Sequence, residues 1–155
     1  MKAGGVELLN MLSSSAARMG RENPSVAGII LFGSVARGES RIRSDLDLLI
    51  LWEGVDLPLR ERYIVFYKLA TRYFKVGKGL TVLDLEYDRF ISSKRLNPLF
   101  LNIISDAIIL YDKYDRLNSF ISEARGKLAK TGLTRVKRGR FYYWVLPKPG
   151  AVVEA

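Results

Sequence analysis

The chain has 155 residues, 48% hydrophobic and 26% charged, a balance that excludes disordered and low-complexity classes and suffices for one buried core. It contains neither cysteine nor histidine. Disulfides, thiolate or imidazole metal sites, cysteine nucleophiles and a histidine base are therefore excluded, leaving carboxylates, hydroxyls, lysine, arginine and hard metals. The net charge of +9 favours an anionic partner: a nucleotide, a nucleic acid or an acidic protein.

In chain order, Glu7 to Met19 places Leu8, Leu9, Leu12, Ala16 and Met19 at helical spacing. Val26 to Phe32 is a continuous apolar run, the mark of a strand buried on both faces, and Leu46 to Trp52 is a second with one acid inside it. Leu57 to Val76 returns to helical spacing through Leu59, Tyr63, Phe66, Ala70 and Tyr73, and Gly77 and Gly79 end it. Leu80 to Tyr87 reads as a third strand. Asn97 to Ser105 and Tyr114 to Lys130 read as helices, with a short strand, Ala107 to Tyr111, between them. The aromatic stretch Arg140 to Leu146 is β-prone. Interspersed in this way, the elements predict an α/β (α+β) class, a small mixed β-sheet flanked by helices. No linker-like stretch divides the chain, so a single domain over residues 1–155 is expected, with a basic aromatic C-terminal segment at 133–155. No apolar run approaches the roughly 18 residues that span a bilayer. Residues 1–20 also lack the compact apolar centre of a secretion signal, so a cytoplasmic protein is expected.

The chemistry concentrates in Leu31 to Trp52. A buried strand ends at Gly33-Ser34, where glycine lets backbone approach a ligand and exposed N–H groups with the Ser34 hydroxyl favour an anion. Asp45-Leu46-Asp47 follows, and on a strand residues i and i+2 share a face, so both carboxylates point together. Such a pair is costly until something neutralises it, and a divalent cation such as Mg²⁺, which takes carboxylates plus phosphate oxygens, is the natural solution. A phosphate cradle beside a two-carboxylate metal site is what metal-assisted nucleotidyl transfer requires. Gly33 to Ser40 also fits the spacing of a P-loop, but Glu39 stands where the phosphate-binding lysine belongs and would repel the phosphates, so that reading fails.

Gly33-Ser34, ten intervening residues and Asp45-x-Asp47 resemble the signature of the polymerase-β-like nucleotidyltransferase superfamily, in particular its minimal prokaryotic branch, the MNT domains. The apolar strand before Gly33, Ala36-Arg37-Gly38-Glu39 after it and Ser44 before Asp45 carry the same resemblance. The resemblance implies that Asp45 and Asp47 hold Mg²⁺ and that Gly33 and Ser34 hold the terminal phosphates of ATP. Arg37 would add a neutralising charge. Where the family often has arginine this chain has Val35, one phosphate contact fewer. Active relatives add a third acid from a later strand, a metal ligand and general base for the incoming hydroxyl. Asp84 is the expected residue, with Glu86 as an alternative on the same strand face. Anchoring instead on Phe90 and Asn97-Pro98 puts the third position nearer Thr81, whose strand parity is opposite to that of Asp84. Many MNT proteins are antitoxins paired with HEPN ribonucleases, and some transfer AMP to a tyrosine of the toxin. The resemblance thus implies a nucleotidyltransferase with ATP as substrate and a HEPN-type partner.

Eight basic residues and no acidic one lie between Arg125 and Lys148, with Tyr142, Tyr143 and Trp144 among them. Aromatics interleaved with cations can stack RNA bases. They can also form a hairpin packed on the domain or on a second copy, with Arg138 and Arg140 outside, and packing of this kind is the favoured reading. A non-catalytic protein that neutralises a partner by covering it, and a basic RNA-binding module, stand as alternatives.

Overall fold

The computed structural model describes residues 3–39, 41, 44–94, 97–139 and 141–147. Of the residues singled out above, Ser40, Arg140 and Lys148 lie outside that set. Helix α1 (Ala3–Glu22) leads into β1 (Val26–Phe32), which is buried along its whole length. A single helical turn, α2 (Gly33–Ala36), precedes β2 (Leu46–Trp52), and α3 (Leu59–Tyr73) crosses over to β3 (Leu80–Glu86). Then come α4 (Tyr87–Ile91), α5 (Pro98–Asp106), β4 (Ile108–Asp112) and α6 (Leu117–Lys130). The described chain ends in a hairpin of β5 (Thr134–Arg138) and β6 (Phe141–Val145).

Four strands form a mixed sheet in the order β3-β2-β1-β4. β1 pairs antiparallel with β2 and β4, while β2 and β3 run parallel. A parallel pair needs a crossover, and α3 supplies it. The helices cover both faces. Leu12, Ala16 and Met19 of α1 and Phe66, Ala70 and Tyr73 of α3 pack with Leu46, Leu48 and Ile50 on one side. Phe90 of α4, Ile103 and Ile104 of α5, and Leu117 and Ile121 of α6 pack with Ile30, Phe32, Leu49 and Leu51 on the other. This two-sided cover explains why β1 and β2 read as unbroken apolar runs.

The structure bears out the α/β class with its small mixed sheet and helical flanks. Several boundaries move. α3 stops at Tyr73 rather than Val76, before Gly77 is reached. β3 ends at Glu86, and Tyr87 opens the short α4, which apolar spacing alone did not indicate. α5 starts as its sequence implies: Pro98 takes the first helical position and the Asn97 side chain accepts the Phe100 N–H at 2.8 Å. α6 starts at Leu117 rather than Tyr114, because the Asp112 carboxylate accepts the Leu117 N–H at 2.8 Å and caps it from the end of β4.

Candidate functional site

The site forms where β1 gives way to α2 and β2 begins. Gly33 has φ 77°, a left-handed conformation that side-chain-bearing residues rarely adopt. Glycine is required there twice over, because a Cβ would overlap the Asp47 carboxylate, which lies directly against the turn. β1–β2 pairing sets Phe32 opposite Asp47, so the glycine turn and the acid are adjacent by register. Asp45 sits one residue before β2, and its carboxylate fills the space that a side chain on Gly79 would need. The Leu46 N–H donates to the Gly79 carbonyl at 2.9 Å and fixes that approach. Ser44 closes a turn just upstream, its Oγ accepting the Arg41 N–H at 2.7 Å.

Asp45 is exposed and Asp47 half-buried. Burial pushes the Asp47 carboxyl above its ordinary range, and the Asp45 charge adds to the shift, while a hydrogen bond from Thr81 and the Arg37 charge oppose it. The donor set is all oxygen, the two acids repel each other, and the cation whose charge reaches Asp47 is engaged elsewhere. These residues fit a hard divalent cation shared with a phosphate ligand. Among the described residues no cluster of three or more carboxylates is placed to hold a metal.

Asp84 does not join this pair, which corrects the sequence expectation. Parallel pairing sets Thr81 opposite Asp47 and Asp84 opposite Ile50, so Asp84 projects from the other sheet face. There it accepts a hydrogen bond from Trp52 Nε1 at 3.1 Å and forms an ion pair with Arg62 of α3, whose guanidinium lies 4.8 Å from the centre of the Trp52 ring. Glu86 pairs with Trp52 on that same face, farther from the turn. The position opposite Asp47 holds the Thr81 hydroxyl instead of an acid.

Arg37 is brought to the site, one turn beyond Ser34, and it draws in residues that the sequence did not single out. Its Nη1 donates to Asp106 Oδ2 at 2.7 Å and its Nε to Glu39 Oε2 at 3.1 Å. Burial pulls the Arg37 pKa down, but these hydrogen bonds outweigh it and hold the proton more firmly than usual. Asp106 has a side chain only 1% exposed, and its Oδ1 accepts from Arg135 Nη2 at 2.8 Å. The signal for Asp106 in the sequence was an acid closing the mostly apolar segment Pro98–Asp106.

The hairpin docks on this cluster. The Tyr142 hydroxyl donates to Glu39 at 2.7 Å, and the centre of its ring lies 4.4 Å from the Arg37 guanidinium and 4.7 Å from that of Arg135. Trp144 Nε1 donates to Asn102 Oδ1 of α5 at 3.0 Å. Phe141, Tyr143 and Val145 take the outward face, and Phe141 is 78% exposed. The expected hairpin packing is thus present, with Arg138 exposed as anticipated.

Residues 16–116 match the family model described as polymerase beta, nucleotidyltransferase. The chain belongs to that family. The matched stretch of this nucleotidyltransferase-family chain holds the glycine turn, both acids, Thr81 and Asp106, and ends before the hairpin. A Methanocaldococcus jannaschii protein, named as a candidate protein adenylyltransferase, is 33% identical over 86 residues, covering 55% of this chain and 58% of the relative. The match therefore spans less than two thirds of that relative's length. Among solved structures, a toxin–antitoxin with AMP-PNP aligns with a TM-score of 0.51 at 19% identity, over 77% of this chain and 89% of that one, a likeness of fold. No helix among the described residues is long and apolar enough to cross a membrane.

Proposed function

We propose that the chain is a Mg²⁺-dependent nucleotidyltransferase that moves AMP from ATP onto a hydroxyl, with a tyrosine of a HEPN-type partner toxin as the acceptor. The observation that carries this reading is Asp47 set against the Gly33 turn, with the charges of Asp45 and Arg37 both reaching it. The name of the relative supports a protein acceptor, and the AMP-PNP of the similar complex supports an adenine nucleotide. In this reading the Gly33 backbone and Ser34 hydroxyl bind the terminal phosphates, and Arg37 offsets their charge. Asp45 and Asp47 would hold Mg²⁺, which supplies charge neutralisation at the reacting phosphate. The acceptor hydroxyl releases its proton to solvent, its oxygen bonds to the α-phosphorus, and the bond to the bridging oxygen breaks as pyrophosphate leaves. Thr81 holds and orients Asp47 through its hydrogen bond.

Calorimetric titration of ATP with and without Mg²⁺, into wild type and Asp47→Asn, tests the reading without knowledge of the acceptor. Metal-dependent binding should appear in wild type and vanish in the variant, whose fold is checked by circular dichroism. No binding of ATP, GTP, CTP or UTP to wild type would sink it. One observation favours a second reading, a non-catalytic protein that covers its partner: Thr81, not an acid, faces Asp47. Under that reading Asp45→Asn with Asp47→Asn leaves neutralisation of the partner intact.

A further inference from the structure

The hairpin lies outside the stretch shared with the family, yet its Tyr142 ring lies against Arg37 and its Arg135 and Lys137 reach the two acids that hold Arg37. Taken with its own neighbours alone, Arg37 sits between two carboxylates, Asp106 and Glu39, and the trio carries a net negative charge. A cation so placed is poorly suited to attract a polyphosphate. The hairpin changes that sum. Arg135 takes the second oxygen of Asp106 at 2.8 Å, and Lys137 Nζ lies 3.5 Å from Glu39 Oε2. Each acid is thereby matched by a cation from β5, and the cluster of five charges becomes positive by one. Tyr142 lets the cations coexist: its ring presents a negative face to each guanidinium, and its hydroxyl fixes Glu39.

We infer that the β5–β6 hairpin is part of the nucleotide site: Arg135 and Lys137 neutralise Asp106 and Glu39 so that the charge of Arg37 is free to act on the phosphates, with Tyr142 holding the arrangement. The inference rests on the nucleotide reading above and names the residues that set the electrostatics of its phosphate end. Arg135, Lys137 and Tyr142 are positioning residues, acting through Arg37. Because the effect is one of charge, it must scale with the number of phosphates on the ligand and fade as salt rises.

The test is titration of ATP and of AMP, each with Mg²⁺, into the full chain and its variants at low and at high salt. Arg135→Ala should weaken ATP roughly fivefold to tenfold at low salt and AMP far less. Arg135→Ala leaves Asp106 unmatched and takes the cluster to zero net charge; adding Glu39→Gln returns that net charge to plus one and should restore most of the ATP affinity. A merely structural role predicts no rescue, because the second change does not rebuild the Arg135–Asp106 contact and makes the acceptor of the Tyr142 hydroxyl neutral. Lys137→Glu, at an exposed position that leaves buried Asp106 untouched, guards against a misfolded Arg135 variant and should weaken ATP in the same sense. ATP binding to Arg135→Ala or Lys137→Glu as tight as to wild type overturns the inference. So does equal loss of ATP and AMP, or failure of Glu39→Gln to rescue. Wild type that binds no ATP removes the nucleotide reading itself, a different result from wild type that binds while the variants are unaffected.

Discussion

Asp47 lies half-buried beside a second carboxylate, and burial above all raises its pKa. The folded chain therefore keeps this proton at pH values where the unfolded chain has released it. By linkage, the metal-free protein loses stability as pH rises from the ordinary aspartate range through the raised pKa of Asp47. Asp47→Asn should remove that part of the slope and raise the metal-free melting temperature at neutral pH by a few degrees, and thermal melts between about pH 4 and about pH 7 will show it. Wild type should in turn gain stability from Mg²⁺ that the variant does not gain. Gly33, Ser34, Asp45 and Asp47 were legible because they sit in one short segment whose spacing carries the chemistry. Asp106 was not, since its partners Arg37 and Arg135 lie far away on either side of it in the chain. Asp84 misled for a related reason. An acid in an apolar strand looks the same whichever face it takes, and the face relative to Asp47 is set by a register that spacing does not contain.

Asp84 finds its role at the scale of elements: it joins β3 to Trp52 of β2 and Arg62 of α3. Its side chain is 5% exposed, so removing its charge strands a largely buried guanidinium. Asp84→Asn should cost about 3 kcal/mol in urea denaturation while the folded variant binds ATP with Mg²⁺ as wild type does. Loss of metal-dependent binding in that variant would return Asp84 to the site. β1 and β2 were readable to the residue because cover on both faces leaves no polar position except Asp47. α4 was not, since five residues make too little of a period to stand out from the end of a strand. β5 escaped for the opposite reason: Thr134–Arg138 is mostly polar, and it becomes a strand only because β6 needs a partner and the domain needs its cations.

At the scale of the molecule, the basic excess is not a free tail: Arg135 and Lys137 are folded back onto acids of the domain, while the aromatic outer face of β6 stays open. An outer face open to contact and an inner face that carries the cations are compatible, because Arg135 and Lys137 of β5 share the inner face with Tyr142 and Trp144 while Phe141, Tyr143 and Val145 of β6 take the outer one. The position of β1 has a kinetic consequence. It is one of the two inner strands of the sheet, yet its two neighbours come from very different distances along the chain, with Phe32 meeting Asp47 and Gly28 meeting Asp112. Loop closure favours the nearer pairing, so β1 and β2 should come together first and β4 should close the sheet late. The early pairing is the one that forces Asp47 against the Gly33 turn and towards Asp45. Repulsion between the two acids would then be felt in the folding transition state, before most of the core exists. Stopped-flow refolding should be faster for Asp47→Asn than for wild type without metal, with little change in unfolding rate, and the reverse partition would place the pairing late. In that sense the residues proposed to serve the ligand also set the tempo at which the chain folds.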